Sequence, residues 1–372
     1  MIQQVLTTGT ISVQVSRSDF SAEALFDFAE RRNPKRSFLF VSKVLGRHIP
    51  IKPSLMRDTY QRLASQLPAD ADAPFLFVGM AETAVGLAAG VFEEALDNFP
   101  NSVLLTTTRH PVKGKLLCEF KEEHSHATDH LVYWPANEIG IERVKNAKTL
   151  VLVDDEATTG NTFKNLTQAL MASGLSNIQR IITITLTDWS ENALQANLDL
   201  PVTPISLMEG AWQWQPRPDA TLPDMPHVNV TQSGAATVSP TQDWGRLGVT
   251  EKVRPAALQN FSVQPAESIL VIGSGEFVYI PFLLAEHLEQ LGGKVLFGTT
   301  SRSPIADGLA IESSLAFADN YGLGIPNYCY NVAHQQFDRI IICTETAASH
   351  LDPALLTALG QSAPQVEVFV YA

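Results

Sequence analysis

Apolar residues in this chain fall into short unbroken runs that alternate with segments of helical spacing. Residues 74–78, 103–107, 149–153 and 178–186 are almost wholly apolar or β-branched. That is the pattern of strands buried on both faces of a parallel sheet. Between them, Phe163, Leu166 and Leu170 recur at helical spacing until Gly174 stops the pattern. A helix is predicted around 54–67, and another runs through Val91 and Leu96. Ala24, Leu25 and Phe28 share a helical face, which predicts a helix over 21–32 ended by Asn33-Pro34. Residues 8–15 and 37–45 read as strands. The rhythm restarts late in the chain, with strands at 268–272, 294–297, 339–343 and 366–371 and a helix carrying Phe282, Leu283, Leu288 and Leu291.

This order predicts an α/β chain: a mostly parallel sheet with flanking helices, then a second, Rossmann-like α/β domain. The boundaries are placed at 1–208, 209–265 and 266–372. The middle segment is rich in Pro, Thr and Gln and holds Trp212, Trp214 and Trp244. It is expected to connect the domains and pack back on them, because tryptophans need burial. Gly245-Arg246-Leu247-Gly248 is a candidate ordered contact within it.

The stretch from Thr149 to Thr162 carries the clearest chemistry. Its buried strand ends in Asp154-Asp155-Glu156, followed by Ala157, Thr158, Thr159, Gly160, Asn161 and Thr162 at the start of a helix. Unpaired amides at a helix start suit a phosphate, threonine hydroxyls add donors, and glycine admits close approach. The adjacent carboxylates repel phosphate and suit sugar hydroxyls instead, as acidic residues at strand ends do in dinucleotide folds. A ribose bearing a 5-phosphate satisfies both halves.

At these residues the sequence resembles the signature of type I phosphoribosyltransferases. The resemblance implies that Asp154 and Asp155 hold the ribose 2- and 3-hydroxyls and the bound Mg2+. It implies that residues 157–162 cradle the 5-phosphate of phosphoribosyl pyrophosphate. Glu156 departs from the pattern, since most relatives carry an apolar residue there. Met80, Ala81, Glu82 and Thr83 follow the 74–78 strand and look like the family's diphosphate loop, with backbone amides and Thr83 on diphosphate oxygens. Glu82 suits a metal or the acceptor better than a phosphate. Arg109 ends the third strand, where a guanidinium grips diphosphate bidentately. Lys35 and Arg36 belong to the densest basic patch of the chain and are candidates for anion binding.

Residues 118–130 are polar, titratable and aperiodic, and in the family this interval holds a mobile loop that closes over the site. Glu123, His124 and His126 lie in it, as acid–base groups for the acceptor or as metal ligands. In the last third, Gly273, Ser274 and Glu276 follow one strand; Thr300, Ser301, Arg302 and Ser303 follow another; Glu345 follows a third. Polar strand ends at one sheet edge are an expected ligand site, with Arg302 as an anion grip. This half is similar to the TRSP domain, through Thr300-Ser301-Arg302-Ser303-Pro304 with Ser301 inserted by comparison. The pairing resembles the phosphoribosyltransferases of bacterial tellurite-resistance and stress gene clusters, thought to make a nucleoside-like metabolite.

Composition narrows the partners. The 372 residues carry a net charge of -13, which disfavours nucleic acid and anionic membranes. Three cysteines, Cys118, Cys329 and Cys343, show no paired spacing and fit a reducing cytoplasm. The N-terminus has no signal-peptide pattern, and the most apolar window, 269–284, is broken by glycines, Glu276 and Pro281. The resemblance implies phosphoribosyl pyrophosphate and an unidentified small acceptor as partners. Many relatives dimerise, and no residue decides for or against a homodimer. Two other readings stand beside transfer: a ligand sensor without catalysis, and cleavage of a nucleotide in the reverse direction.

Overall fold

The structure is a computed structural model that describes residues 1–31, 36–121, 129–220 and 245–371. Lys35, Glu123, His124, His126 and Trp244 lie outside the described residues.

The first sheet runs, from one edge to the other, Ile2–Leu6, Gly9–Ser18, Val202–Pro216, Arg180–Asp188, Thr149–Val153, Phe75–Gly79 and Ser102–Thr106. The last five are mutually parallel, and an antiparallel hairpin completes the other edge. Thr149–Val153 sits between Arg180–Asp188 and Phe75–Gly79, which is why an unbroken apolar run was needed there. Val202–Pro216 extends past residue 208, so this sheet takes in the opening of the segment expected to be a connector, with Trp212 and Trp214 packed against the core.

The second sheet is fully parallel, in the order Lys294–Thr299, Ser268–Gly273, Arg339–Thr344 and Gln365–Val370. The expectation of two successive α/β units, each built on parallel strands, is met.

The two units share their core. Helix Tyr279–Gln290 of the second packs on helices Pro53–Ala64 and Val85–Ala95 of the first, and one cluster of buried side chains runs through both. Close approach depends on glycine: a Cβ at Gly90 would lie 2.0 Å from the Tyr60 ring, and one at Gly86 would lie 2.7 Å from Val278. Arg57 then ties the helices together, reaching Glu286 at 2.7 Å, Glu94 at 2.9 Å and Glu93 at 3.2 Å.

Each sheet also has an edge covered by a segment from outside its own unit. Ile51 exchanges backbone hydrogen bonds with Phe297, at 2.9 and 2.7 Å, along the Lys294–Thr299 edge. Val249 does the same with Leu104, at 2.9 and 3.0 Å, along the Ser102–Thr106 edge. Unpaired edge groups invite association with another chain, and these segments occupy them.

The predicted helix over 21–32 is corrected. Only Ala22–Leu25 is helical, capped by the Ser21 hydroxyl, and Phe26–Glu30 is a strand paired antiparallel with Phe38–Ser42. Phe26 and Phe28 alternate toward one aromatic cluster with Phe38, Phe40 and Trp189. Tertiary packing overrode a helical spacing of only three residues. The 118–130 interval likewise contains paired structure, with Leu116–Lys121 antiparallel to Asp129–Tyr133. Among the described residues no helix is long and apolar enough to cross a membrane.

Candidate functional site

The site forms where the parallel strands end. The backbone N–H of Met80 donates to Val153 O at 3.0 Å, that of Thr107 donates to Gly79 O at 2.9 Å, and that of Asp154 donates to Ile184 O at 3.0 Å. Four neighbouring strand ends are thereby laced together, which places the 154–162 stretch, the 80–83 turn and Arg109 along one edge. The Ala81 N–H donates to Thr107 Oγ1 at 2.8 Å, a second link between adjacent loops. The Ala81–Glu82 peptide is cis.

Asp154 and Asp155 stand at the centre of this edge. The Asp155 amide donates to Asp154 Oδ1 at 2.9 Å, which fixes one carboxylate beside the other residue's backbone. Burial, and then the charge on Glu156, push the Asp155 carboxyl up to about 6. The Arg36 charge works the other way and does not prevail, so Asp155 is a half-buried carboxylate whose charge is poorly compensated, the condition in which sugar hydroxyls or a divalent ion are welcome. Glu156 and Ala157 then form a two-residue strand beside Thr187 and Asp188. Gly160 takes φ 75° at the N-cap of helix Asn161–Ala172, and Thr159 Oγ1 accepts from the Asn161 amide at 3.4 Å. The donors that open this helix therefore face the end of the acid-bearing loop.

Glu156, the departure from the family pattern, has a partner in this chain. Arg36 forks onto it at 2.6 and 2.9 Å. Burial opposes the Glu156 charge, and the Arg36 guanidinium offsets it and holds the carboxyl below its usual range. Arg36 itself lies over Phe38, Phe40 and Trp212, with its guanidinium carbon 4.8–5.6 Å from the ring centres. The expected anion-binding arginine is therefore engaged by a carboxylate and an aromatic wall. Trp189 is core, stacked on Phe40 at 4.9 Å. A recess beside Asp155 and Glu156 is lined by Leu25, Phe26, Phe40, Ser42, Leu186 and Thr187.

Glu82 lies at the boundary of the two units. Arg47 reaches it at 2.6 Å and Arg302 at 3.8 Å. Burial works against its charge, and the two arginines prevail, so its carboxyl stays below the usual range. Beyond it, the strand ends of the second sheet face those of the first. Glu276 accepts from the Arg109 amide at 2.8 Å and from Thr108 Oγ1 at 2.5 Å. Arg246, 1% exposed, joins Glu276 at 2.9 Å to Glu345 at 2.5 Å. Tyr321 donates to Glu345 at 2.8 Å and stacks on His110 at 3.9 Å between ring centres. Burial opposes ionisation of Glu276, yet His110, Arg246, Thr108 and the Arg109 amide hold its carboxyl down to about 2.

Of the residues expected in the C-terminal site, Ser274, Glu276, Thr300, Ser301, Arg302 and Glu345 are all buried at this junction. Thr300 Oγ1 accepts from the Gly275 amide at 2.8 Å, and Ser301 Oγ accepts from the Ser303 amide at 3.1 Å, so these hydroxyls shape the loops. The Gly273 carbonyl accepts from the Thr300 amide at 2.9 Å. Sequence reasoning did not single out Arg47, whose other contacts are Gly275 O at 2.8 Å and Thr299 Oγ1 at 3.3 Å. These last two partners lie more than two hundred residues away, and only its place after the apolar run Val44-Leu45 set it apart.

A family profile described as phosphoribosyl transferase matches residues 25–211, and a profile for the TRSP domain C-terminal to that transferase matches residues 244–359. No curated protein matches the chain. Among solved structures, adenine phosphoribosyltransferase from Rhodothermus marinus is similar over 50% of this chain and 94% of its own, at 14% identity and a TM-score of 0.32. The Trypanosoma brucei adenine enzyme, solved with AMP, pyrophosphate and ribose-5-phosphate, covers 50% of this chain and 76% of its own, at 13% identity and a TM-score of 0.34. Orotate phosphoribosyltransferase from Aeropyrum pernix covers 49% and 85%, at 17% identity and a TM-score of 0.29. The transferase profile spans half of the chain and contains the acid pair, the Thr-Gly turn and the 80–83 loop: the chain belongs to the phosphoribosyl transferase family and is a phosphoribosyltransferase carrying a C-terminal TRSP domain.

Proposed function

We propose that this protein transfers a 5-phosphoribosyl group from phosphoribosyl pyrophosphate to a small nucleophilic acceptor. The bond from the anomeric carbon to the diphosphate oxygen breaks and pyrophosphate leaves with the electron pair. A bond from the acceptor forms at the same carbon, and the acceptor's proton is lost. The carrying observation is the ordered set at the strand end: two carboxylates, one of them raised by partial burial and a neighbouring charge, then a hydroxyl-rich turn into a helix that starts from Gly160. Its place inside a family-matched segment supports the same reading.

Asp154 and Asp155 hold the ribose hydroxyls, and residues 157–162 hold the 5-phosphate. The 80–83 amides and Arg109 receive the leaving diphosphate, whose charge grows as the bond breaks. The paired carboxylates fit Mg2+, a hard ion that takes one or two carboxylates plus substrate oxygens, and Asp154 and Asp155 would hold it. When bound, the ion neutralises diphosphate charge. Lys35, Glu123, His124 and His126, outside the described residues, are the further anion-binding and acid–base groups of this reading.

The test is incubation of the purified protein with phosphoribosyl pyrophosphate, Mg2+ and candidate acceptors, with pyrophosphate release as the readout. Mass spectrometry of small molecules retained by the protein supplies the candidates. Release that depends on acceptor and on Asp155 supports transfer. Tight binding with no release from any retained acceptor would favour a sensor.

A further inference from the structure

The loops given to the leaving diphosphate are held from the other domain. Glu276 of the TRSP unit accepts the Arg109 amide on Oε1 at 2.8 Å and the Thr108 hydroxyl on Oε2 at 2.5 Å. Its own position is set by Arg246, which donates to Oε2 at 2.9 and 3.2 Å and is anchored in turn by Glu345. The 80–83 loop is caught in the same way, since Arg47 binds Glu82 with one nitrogen and Gly275 O with another. A carboxylate is the last group expected beside a diphosphate site on charge alone. Here both of its oxygens are spent on the strand end that carries Arg109.

We propose that Glu276 is a positioning residue for phosphoribosyl transfer: by pinning the Thr108–Arg109 backbone it places Arg109 against the diphosphate, so the C-terminal domain completes the transferase site. This rests on the transfer reading above. The alternative, that Glu276 acts only through its charge, gives the opposite sign, because removing a negative charge near a polyanion site tightens anion binding. Glu276→Gln keeps the volume but supplies one acceptor oxygen where two are used, and it turns an NH2 toward a donor. Thr108→Val keeps the β-branched shape and removes the hydroxyl, which donates to Glu276 and also accepts the His110 amide at 3.1 Å.

The experiment is titration calorimetry on the full chain with Mg2+, using three probes: phosphoribosyl pyrophosphate, pyrophosphate and ribose 5-phosphate. In Glu276→Gln, affinity for the two diphosphate ligands should fall by about tenfold or more, the scale expected when a binding group is displaced. Ribose 5-phosphate, which does not reach these loops, should bind within about twofold of the wild type. Thr108→Val should show the same selective loss, smaller in size, and it decides the matter if Glu276→Gln does not fold. Unchanged or tighter diphosphate binding overturns the proposal, and so does a parallel loss of ribose 5-phosphate. A wild-type protein that binds ribose 5-phosphate but neither diphosphate ligand overturns the transfer reading itself, and this proposal with it.

Discussion

Replacing Asp155 with asparagine should make the protein more stable while removing its ligand. Burial, and then the neighbouring Glu156 charge, raise the Asp155 carboxyl from an ordinary 3.8 to about 6. A carboxyl raised in the folded state holds its proton more tightly there than in the unfolded chain. Its charge therefore costs stability above about pH 6, and the cost vanishes below the unfolded value. The shift corresponds to ~3 kcal/mol. Asp155 is only half-buried, so solvent screening reduces this to ~1–2 kcal/mol. Asparagine keeps the shape and carries no charge, and the backbone bond from residue 155 to Asp154 Oδ1 survives the change. Urea denaturation of both proteins should show the variant more stable by that amount at about pH 7.5, with the gain shrinking toward about pH 4. Calorimetry with phosphoribosyl pyrophosphate should show no heat for the variant. A variant less stable than the parent, or a gain independent of pH, would refute the idea that this carboxylate is held short of solvent. Undiminished ligand binding would refute its role in holding the ribose.

Other consequences follow from the same charges. Phosphoribosyl pyrophosphate affinity should be level above about pH 6 and fall roughly tenfold per pH unit below it, as Asp155 takes up its proton; calorimetry across that range checks the midpoint. Arg246→Met should destabilise the chain by about 3–5 kcal/mol in urea, because it strands Glu276 and Glu345 without their cation. Arg36→Leu alone should cost about 2–4 kcal/mol, and adding Glu156→Leu should recover most of it, since the pair together tolerates an apolar swap that neither member tolerates alone. Equal losses in the single and double variants would show that the pair is not coupled.

The parts of the site that could be read from sequence are those whose meaning is local. The 149–162 stretch announces a buried strand, two acids, a turn and a helix start within fourteen residues, and the structure builds those elements in that order. The junction of the domains was hidden because its members pair across the chain. Arg47 meets Thr299 and Gly275, Arg246 meets Glu345, and Thr108 meets Glu276, none within thirty residues of its partner. Arg246 gave one hint, as a lone cation between two glycines, Gly245 and Gly248, both of which adopt positive φ. Ala24, Leu25 and Phe28 misled for a different reason. Their helical spacing rests on three residues, and Phe26 and Phe28 alternate as a strand does, which the partner strand Phe38–Ser42 fixes.

The covering of sheet edges ties the transferase half to the TRSP half. Strand Ser102–Thr106 is the exposed edge of the first sheet unless 245–249 lies along it, and that same segment delivers Arg246 to Glu276. Strand Lys294–Thr299 is the exposed edge of the second sheet unless Ile51 pairs with it, and the segment leading to Ile51 delivers Arg47 to Glu82. Each crossing therefore does two jobs, closing a sheet edge and carrying an arginine to a carboxylate at the shared strand ends. A hydrophobic interface alone would hold the domains together without fixing the direction of the loops. Arginine forks on buried carboxylates add that directional constraint, and here they act on the residues that border the proposed diphosphate cradle.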